Sequence, residues 1–202
     1  MAPGALWRLS GEERCVCLTF DDGPTESTTP RLLDILRHHG VKATFFMVAD
    51  NVRRYAGLME RVLEEGHAVG NHTYHHLAGH RHGWRHYISD AEMAAELIPG
   101  RLFRPPHGTL TPRERRAVEE RGWHTVMYDV VTRDYARRIT AGGVVANVRR
   151  YARPGSVIVF HDSLRSIDKL LTALPEAIEW LRSEGYAFRT LNMETGESLV
   201  GN

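Results

Sequence analysis

The sequence has little cysteine, no long apolar run and no leader-like start. Cys15 and Cys17 are its only cysteines. Two positions apart in an extended run, they share a face but lie too far apart to bridge comfortably, so we expect reduced core side chains. No apolar stretch is long enough to cross a bilayer, and residues 1–14 lack the apolar segment of a secretory signal. We expect a soluble chain without a transmembrane segment.

Neither sign of charge dominates the sequence. The 26 basic and 25 acidic side chains leave a formal net charge of +1, so no overall positive field favours nucleic acid or an anionic membrane as a partner. Only Lys42 and Lys169 are lysines and the other basic residues are arginines, which we interpret as coding bias and a solvated surface rather than a phosphate-binding patch. The length of 202 residues, of which 42% are hydrophobic, predicts one domain over residues 1–202 with a sizeable core.

Short apolar runs alternate with helix-like stretches along the whole chain. Runs such as CVCLTF, ATFFMV and VIVFHD are followed by amphipathic or helix-forming segments. This pattern predicts parallel strands with helical crossovers, in an α/β layer or barrel. Three helix starts are predicted from capping signals: Thr29 before Pro30, Thr111 with Glu114, and Ser89 with Glu92.

Polar side chains stand at the ends of the predicted strands. Because the carboxyl ends of parallel strands gather on one face, where ligands collect, we expect these side chains to converge on one cleft. They are Asp21, Asp22, His72, Arg104, Asp129, Asp134, His161 and Asp162.

Asp21 and Asp22 end the first strand as an adjacent pair of carboxylates. Gly23 and Pro24 turn the chain just after them, so both side chains can face one pocket. Two uncompensated carboxylates would repel each other and raise a pKa unless a cation or hydrogen-bond donors lie nearby. A metal ion would remove that difficulty, although turn formation or helix capping also accounts for such a pair.

The segment HTYHH supplies further ligands for a metal. His72 and His76 are four positions apart, which brings two imidazoles to one side of a helical or tightly turned segment. With Asp22 they would form a two-His, one-Asp site that leaves a position open for water. Spacing alone does not select them, because five other histidines crowd the region and His76 with His80 has the same spacing.

Two more segments carry side chains suited to hydrolysis. In RPPHG, Arg104 can grip a carboxylate with two hydrogen bonds, and the rigid Pro-Pro segment can hold a backbone N–H at a defined angle. In VIVFHD, His161 ends an apolar strand and can donate a proton near neutral pH. Each segment by itself is also compatible with a surface or structural role.

Five segments of the sequence, taken in order, resemble the five motifs of the polysaccharide deacetylases of carbohydrate esterase family 4, the NodB homology domain. The segments are TFDDGP, HTYHH, RPPHG, YDVVTRDY and VIVFHD. The resemblance spans roughly residues 14–190. It implies a distorted (β/α) barrel of about seven parallel strands. It also implies a metal-dependent hydrolase that removes N- or O-acetyl groups from glycans.

The resemblance assigns a role to each motif residue. Asp21 would be the general base, oriented by Arg104. Asp22, His72 and His76 would bind one divalent ion, zinc first, with cobalt, nickel or manganese as alternatives.

The remaining motif residues would complete the reaction. His161 would be the general acid, with Asp134 pairing with it or holding it in place, and the backbone N–H of His107 would stabilise the oxyanion. Residues implied in substrate binding are Pro105, Pro106 and Tyr135.

The sequence departs from the family pattern in two places. His107 stands where the family usually has Tyr, and Tyr135 where it usually has Trp. These departures leave the shape of the cleft wall and the preference for acyl group or sugar undetermined by the resemblance. Residues 77–90 match no motif. Their Trp84 and Tyr87 could stack on a sugar or pack the loop onto the barrel.

Three functions from different classes remain open at this point. The first is de-N-acetylation of a β-1,4-linked N-acetylglucosamine glycan, such as peptidoglycan or a chitin oligosaccharide, with the acetylated glycan as the partner and the cell envelope or another extracytoplasmic site as its place. The second is hydrolysis of a small amide or cyclic imide. The third is a catalytically inactive, glycan-binding barrel, against which the presence of every proposed base, acid and metal position argues.

Overall fold

Strands and helices alternate along the chain, as the sequence predicts. A computed structural model describes residues 4–9 and 14–200. The strands are β1 (Cys15–Asp21), β2 (Thr44–Met47), β3 (Ala68–Asn71), β4 (Leu102–Phe103), β5 (His124–Thr125), β6 (Val130–Val131), β7 (Ser156–His161), β8 (Ala187–Leu191) and β9 (Ser198–Val200). The helices are α1 (Thr29–His38), α2 (Ala49–Arg54), α3 (Ala56–Glu64), α4 (Gly79–His82), α5 (Trp84–Ala95), α6 (Pro112–Glu120), α7 (Ala141–Tyr151) and α8 (Ile167–Ser183). Within the described ranges, none of these helices has the length and apolar character needed to traverse a bilayer.

Seven strands form a curled parallel sheet in the order β5-β4-β3-β2-β1-β7-β6. Central strand β1 pairs with β7 along Val16–Asp21, and on its other side with β2 at its carboxyl half and with β8 at its amino half. Strand β9 is antiparallel to β8. The predicted distorted (β/α) barrel of about seven parallel strands is confirmed.

Strand β1 is buried along its whole length, and its two faces meet different environments. Val16, Leu18 and Phe20 pack into the cluster formed with helices α1, α7 and α8. Cys15 and Cys17 lie in a second cluster on the opposite face, where both are buried and neither forms a disulfide, as the sequence predicts. Because strand side chains alternate, Asp21 shares the parity of the cysteines and not that of the helix-facing residues.

The capping box at Thr111 is confirmed. Its hydroxyl accepts a hydrogen bond from the N–H of Glu114 at 3.3 Å, and the Glu114 carboxylate accepts one from the N–H of Thr111 at 2.7 Å. These two bonds satisfy backbone donors at the start of α6.

The other two capping predictions are wrong. Helix α1 begins at Thr29 itself, whose hydroxyl donates to the buried Asp162 carboxylate at 2.6 Å. Ser89 lies in the middle of α5, which begins at Trp84. Burial of Tyr87 in the core carries this helix a full turn upstream of the predicted cap, so packing overrides the local signal.

We expect Gly70→Ala to destabilise the fold and Gly57→Ala to be tolerated. A Cβ at Gly70 in β3 would lie 2.7 Å from the Phe46 ring and 2.9 Å from Leu102 Cβ, whereas a Cβ at Gly57 in α3 would meet nothing within 4 Å. Overpacking costs about 1–3 kcal/mol, and alanine in place of helical glycine gains up to about 1 kcal/mol. Urea unfolding of the two variants measures the difference, and equal stabilities would contradict the packing at Gly70.

Candidate active site

A cavity of about 440 Å³ opens where β1, β3 and β7 end. It brings together seven of the residues singled out in the sequence: Asp21, Asp22, His72, His76, His107, Tyr135 and His161. Arg104 and Asp134 lie behind the lining, each with no exposed surface, and contact Asp21 and His161 respectively. The predicted convergence therefore occurs for these residues. It is wrong for Asp129, which binds Ser156 and Arg153 at the opposite end of β7 and does not line the cavity.

Asp21 and Arg104 form a buried ion pair at the floor of the cavity. A guanidinium N–H of Arg104 donates to Asp21 Oδ1 at 2.7 Å, and the side chains are 0% and 5% exposed for Arg104 and Asp21. The same nitrogen donates to the Thr19 hydroxyl at 2.7 Å, and the other two nitrogens donate to the carbonyls of Val126 and Met127 at 3.0 and 2.9 Å. This holds the Asp21 carboxylate in one orientation.

The turn after β1 places Asp22 beside Asp21 at the cavity. Asp22 has a φ of 80°, and a Cβ at Gly23 would lie 2.2 Å from the Asp162 carboxylate, so only glycine fits there. The hydroxyls of Thr29 and Thr25 donate to Asp162 at 2.6 and 3.3 Å, and burial raises the pKa of Asp162 to about 7. Asp162 thus packs under the turn and does not line the cavity.

Asp22, His72 and His76 form a cluster whose ligand atoms all lie within 4.8 Å of one another. Asp22 Oδ1 is 3.7 Å from His72 Nε2 and 3.2 Å from His76 Nε2. Although burial alone would raise it, the hydrogen bond from His76 and the nearby imidazoles lower the pKa of Asp22 to about 2.

His72 is held in one tautomer by the backbone. Its Nδ1 lies 2.7 Å from the carbonyl oxygen of Arg104, so Nδ1 carries the proton and Nε2 keeps a free lone pair directed at Asp22. Burial lowers the pKa of His72 to about 4, and the ring is neutral at neutral pH. A neutral imidazole whose second nitrogen bonds a carbonyl is the arrangement typical of a metal ligand. These residues fit a divalent ion.

Asp90 binds the His75 ring and holds it away from the cavity that His72 and His76 line. This buried carboxylate accepts hydrogen bonds from the N–H groups of Tyr74 and His75 at 2.9 and 3.0 Å, and from His75 Nδ1 at 2.5 Å. The ring of His75 is therefore engaged outside the cavity, with its side chain 54% exposed. Of the adjacent histidines, only His76 reaches Asp22.

His161 and Asp134 form a second charged pair on the opposite side of the cavity. His161 Nδ1 lies 2.8 Å from Asp134 Oδ1, and the backbone N–H of His161 donates to Asp134 Oδ2 at 2.8 Å. Burial lowers the pKa of His161, but the hydrogen bond and charge of Asp134, followed by the charges of Asp21 and Asp22, raise it to about 9. His161 is protonated at neutral pH.

The RPPHG segment forms part of the cavity wall, and only some of its residues are exposed. Pro105 and Pro106 are buried, and neither lines the cavity. His107 is exposed, with a φ of 60° and its ring 4.7 Å from that of His76. Burial and then the charge of His76 lower the pKa of His107, and the charges of Arg81 and His80 act in the same direction. Tyr135 is 37% exposed and packs edge-on against His161.

Five non-glycine residues of the described chain have a positive φ, and all follow strands at this edge of the sheet. They are Asp22, Thr73, His76, His107 and Arg133. Side chains adopt this conformation only where the surrounding structure enforces it, and such residues cluster at functional sites.

Sequence reasoning missed several residues at the site. Thr19 binds Arg104 and sits two positions before Asp21, so strand periodicity could have found it. Tyr128, Ser163 and Arg165 also line the cavity. Tyr128 opens the YDVVTRDY motif, but the resemblance assigns it no role, and no motif or spacing indicated Ser163 or Arg165.

Both large aromatic rings of residues 77–90 pack against the core cluster that contains Phe103, Tyr87 fully and Trp84 in part. Tyr87 is fully buried against Phe103 and cannot stack on a sugar. Trp84 is half-buried and lines a separate groove of about 450 Å³ with Gly79, His80 and Arg113.

The family model described as polysaccharide deacetylase matches residues 8–126 of this chain. A peptidoglycan-N-acetylglucosamine deacetylase from Bacillus cereus is 31% identical over 199 residues, 92% of this chain and 90% of that protein. A chitooligosaccharide deacetylase from Azorhizobium caulinodans is 31% identical over 93% of this chain and 98% of its own length.

Solved structures agree with this match. The structure of the Bc1960 peptidoglycan N-acetylglucosamine deacetylase superposes with a TM-score of 0.87 at 30% identity, covering 96% of this chain and 95% of that one. A family 4 pseudoenzyme from Bacillus anthracis has a TM-score of 0.78 at 25% identity, covering 93% of this chain and 67% of that one. This chain belongs to the polysaccharide deacetylases of carbohydrate esterase family 4.

We expect His76→Ala to weaken binding of Zn²⁺ or Co²⁺ strongly, and His75→Ala to leave it near the original value. Only the first variant removes a nitrogen that faces Asp22, since the His75 ring bonds Asp90. Losing one of three protein ligands should cost more than the roughly 10–100-fold that supporting residues contribute. Isothermal titration with both variants measures this, and equal losses in affinity would contradict the assignment of His76.

Proposed function

We propose that this protein is a metal-dependent deacetylase that removes N-acetyl groups from a β-1,4-linked N-acetylglucosamine glycan of the peptidoglycan or chitooligosaccharide type. One observation carries the proposal. A carboxylate paired with arginine, a protonated histidine paired with aspartate, and a His-His-Asp cluster face the same cavity. The relatives named above support this substrate class, and a peptidoglycan substrate would place the reaction in the cell envelope.

Asp22, His72 and His76 would hold the divalent ion. Oxygen and imidazole nitrogen ligands suit zinc, and also cobalt, nickel and manganese. When bound, the ion would supply Lewis-acid chemistry, polarising the acyl carbonyl and lowering the pKa of water.

Asp21 would act as the general base. Its carboxylate neighbours Asp22 of the His-His-Asp cluster. Arg104, itself bound to the Thr19 hydroxyl, holds this carboxylate without occupying the cavity. A fixed carboxylate can accept the proton of the attacking water and leave a hydroxide aimed at the acyl carbon. Orientation by Arg104 removes the need to reorganise during the reaction.

The oxyanion and the leaving amine need donors on the two sides of the cavity. The backbone N–H of His107, held in its left-handed turn, would donate to the oxyanion. His161 would donate its proton to the nitrogen of the departing glucosamine, because an amine leaves far more readily than its anion. Asp134 keeps His161 protonated for that step. Tyr135 would form part of the wall against the sugar.

The positions of Pro105 and Pro106 favour an indirect part in substrate binding. Both are buried beneath the wall, where their restricted backbone would fix the path of the chain into His107. We therefore assign them to shaping the cavity.

We expect Asp21→Asn to lower kcat by about 10²–10⁴-fold, the range for loss of a general base, while the divalent ion stays bound. Asparagine keeps an oxygen that can accept from Arg104, so the fold should survive. Acetate release from N-acetylglucosamine oligomers, peptidoglycan fragments and acetylated xylan measures the loss, with the melting temperature checked in parallel.

Asp34→Asn serves as the control, because this carboxylate lies exposed on α1 and pairs with Arg37. Full activity in Asp21→Asn would overturn the mechanism. Absence of acetate release by the original protein, with metal shown to be bound, would favour hydrolysis of a small amide. Glycan binding without turnover of any acyl substrate would instead favour an inactive barrel.

We expect the pH profile of activity to have an alkaline limb, along which activity falls as His161 loses its proton. Asp134→Asn should move this limb to lower pH. The pKa of His161 is raised to about 9 chiefly through Asp134, against the effect of burial. Removing the carboxylate charge lowers that pKa, so the acid is lost earlier as pH rises. A cation at Asp22 would offset part of the carboxylate charge, so the limb of the original enzyme should lie at or somewhat below pH 9.

The pH profile of kcat for both proteins measures the shift. An unmoved limb in Asp134→Asn would show that His161 is not the titrating acid.

A further inference from the structure

Four arginines at the amino edge of the sheet are each paired with a carboxylate, whereas Arg150 and Arg182 of the described chain have no carboxylate within 4.0 Å and lie against the rings of Tyr151 and Phe188. These residues precede strands or follow helices, so they lie at the end of the barrel opposite the cavity. The pairs are Arg14 with Glu184 at 3.4 Å, Arg101 with Glu194 at 3.5 Å, Arg121 with Glu92 at 2.6 Å and Arg153 with Asp129 at 3.1 Å.

Arginines at the carboxyl edge are different. Six exposed arginines lie in the segments that follow β3, β4, β6 and β7, and within the described chain none of them has a carboxylate within 4.0 Å of its guanidinium or an aromatic ring stacked on it, as Arg85 has in Trp84. They are Arg81, Arg113, Arg133, Arg137, Arg138 and Arg165.

Few acids at this edge are free to neutralise them. Asp21, Asp22, Asp134 and Asp162 are engaged inside the site. Asp50 already pairs with two arginines of α2. Among the described residues that follow β1, β3, β4, β6 and β7, up to the first turn of the next helix, the exposed acids are Glu26 and Asp168. The net charge of +1 therefore conceals a basic face around the cavity.

The six arginines flank the cavity on two sides. Arg81 and Arg113 follow β3 and β4, and the other four follow β6 and β7, with β1 and β2 between the two groups. Arg165 lines the cavity itself, Arg113 lines the separate groove beside Trp84, and the charge of Arg81 acts on His107. A glycan chain laid across the cavity would meet cations on both sides of the reacting sugar.

We propose that this face binds a glycan that carries carboxylate groups, so that peptidoglycan, with its lactyl and peptide carboxylates, is the substrate in preference to a neutral chitin-type chain. The inference rests on the proposed function. Guanidinium groups bind carboxylates through paired hydrogen bonds, and arginines without an acidic neighbour in the protein are available for that contact. Because the cations surround the cavity, the occupant is the substrate itself.

The test compares kcat/KM on soluble peptidoglycan fragments with kcat/KM on the same fragments after their carboxylates have been converted to amides. At low salt we expect a preference of about tenfold or more for the charged fragments, decreasing as salt is added. Arg165→Gln and Arg81→Gln should each reduce this preference about two- to fivefold through KM, the range for one exposed ion pair. Arg150→Gln is the matched control, since Arg150 is exposed at the opposite end of α7 and stacks on Tyr151.

Several outcomes would overturn the inference. Equal kcat/KM on charged and amidated fragments would do so and leave the deacetylase assignment intact. An equal effect of Arg150→Gln would show that net charge alone acts. Binding to phosphatidylglycerol vesicles that depends on Arg165 and Arg81, with equal turnover of both fragments, would assign the face to a membrane. Absence of turnover on both fragments would overturn the proposed function itself.

Discussion

The buried pair between Arg104 and Asp21 is the interaction on which the site depends. Arg104 is fully buried, its donors are spread over Asp21, Thr19 and two carbonyls, and Phe46 stacks against it at 4.0 Å. Its own carbonyl accepts from His72, so one residue orients both the proposed base and a proposed metal ligand. Removing one partner of such a pair typically costs about 3–5 kcal/mol because the other charge is left buried alone.

Backbone conformation gives the rest of the site its geometry. Asp22, His76 and His107 each hold a left-handed backbone that side chains ordinarily avoid. The close approach of Gly23 to Asp162 and the bonds of Asp90 to the backbone of the HTYHH segment help to enforce it. The packing of the barrel thus compensates for the backbone strain of a few residues whose positions the chemistry requires.

Much of the fold could be predicted from the sequence, because alternating runs report burial directly. The parallel strands with helical crossovers, the reduced cysteines and the capping box at Thr111 followed from local patterns, and the family resemblance implied the barrel. The caps at Thr29 and Ser89 did not, since packing against Asp162 and burial of Tyr87 outweigh local propensity. Asp90 carries no local signal, since its partners lie 15 and 16 positions away.

The sequence by itself determined the chemical inventory: adjacent carboxylates before a turn, histidines at ligand spacing, and an arginine and a histidine at strand ends. Only the tertiary structure showed that the His76 ring faces Asp22 while the His75 ring bonds Asp90, set Pro105 and Pro106 beneath the surface, and separated paired arginines from unpaired ones. The physical reason is that composition sums charge over the whole chain. Electrostatic attraction depends on which charges face each other across a few ångströms, and those neighbours come from distant parts of the sequence.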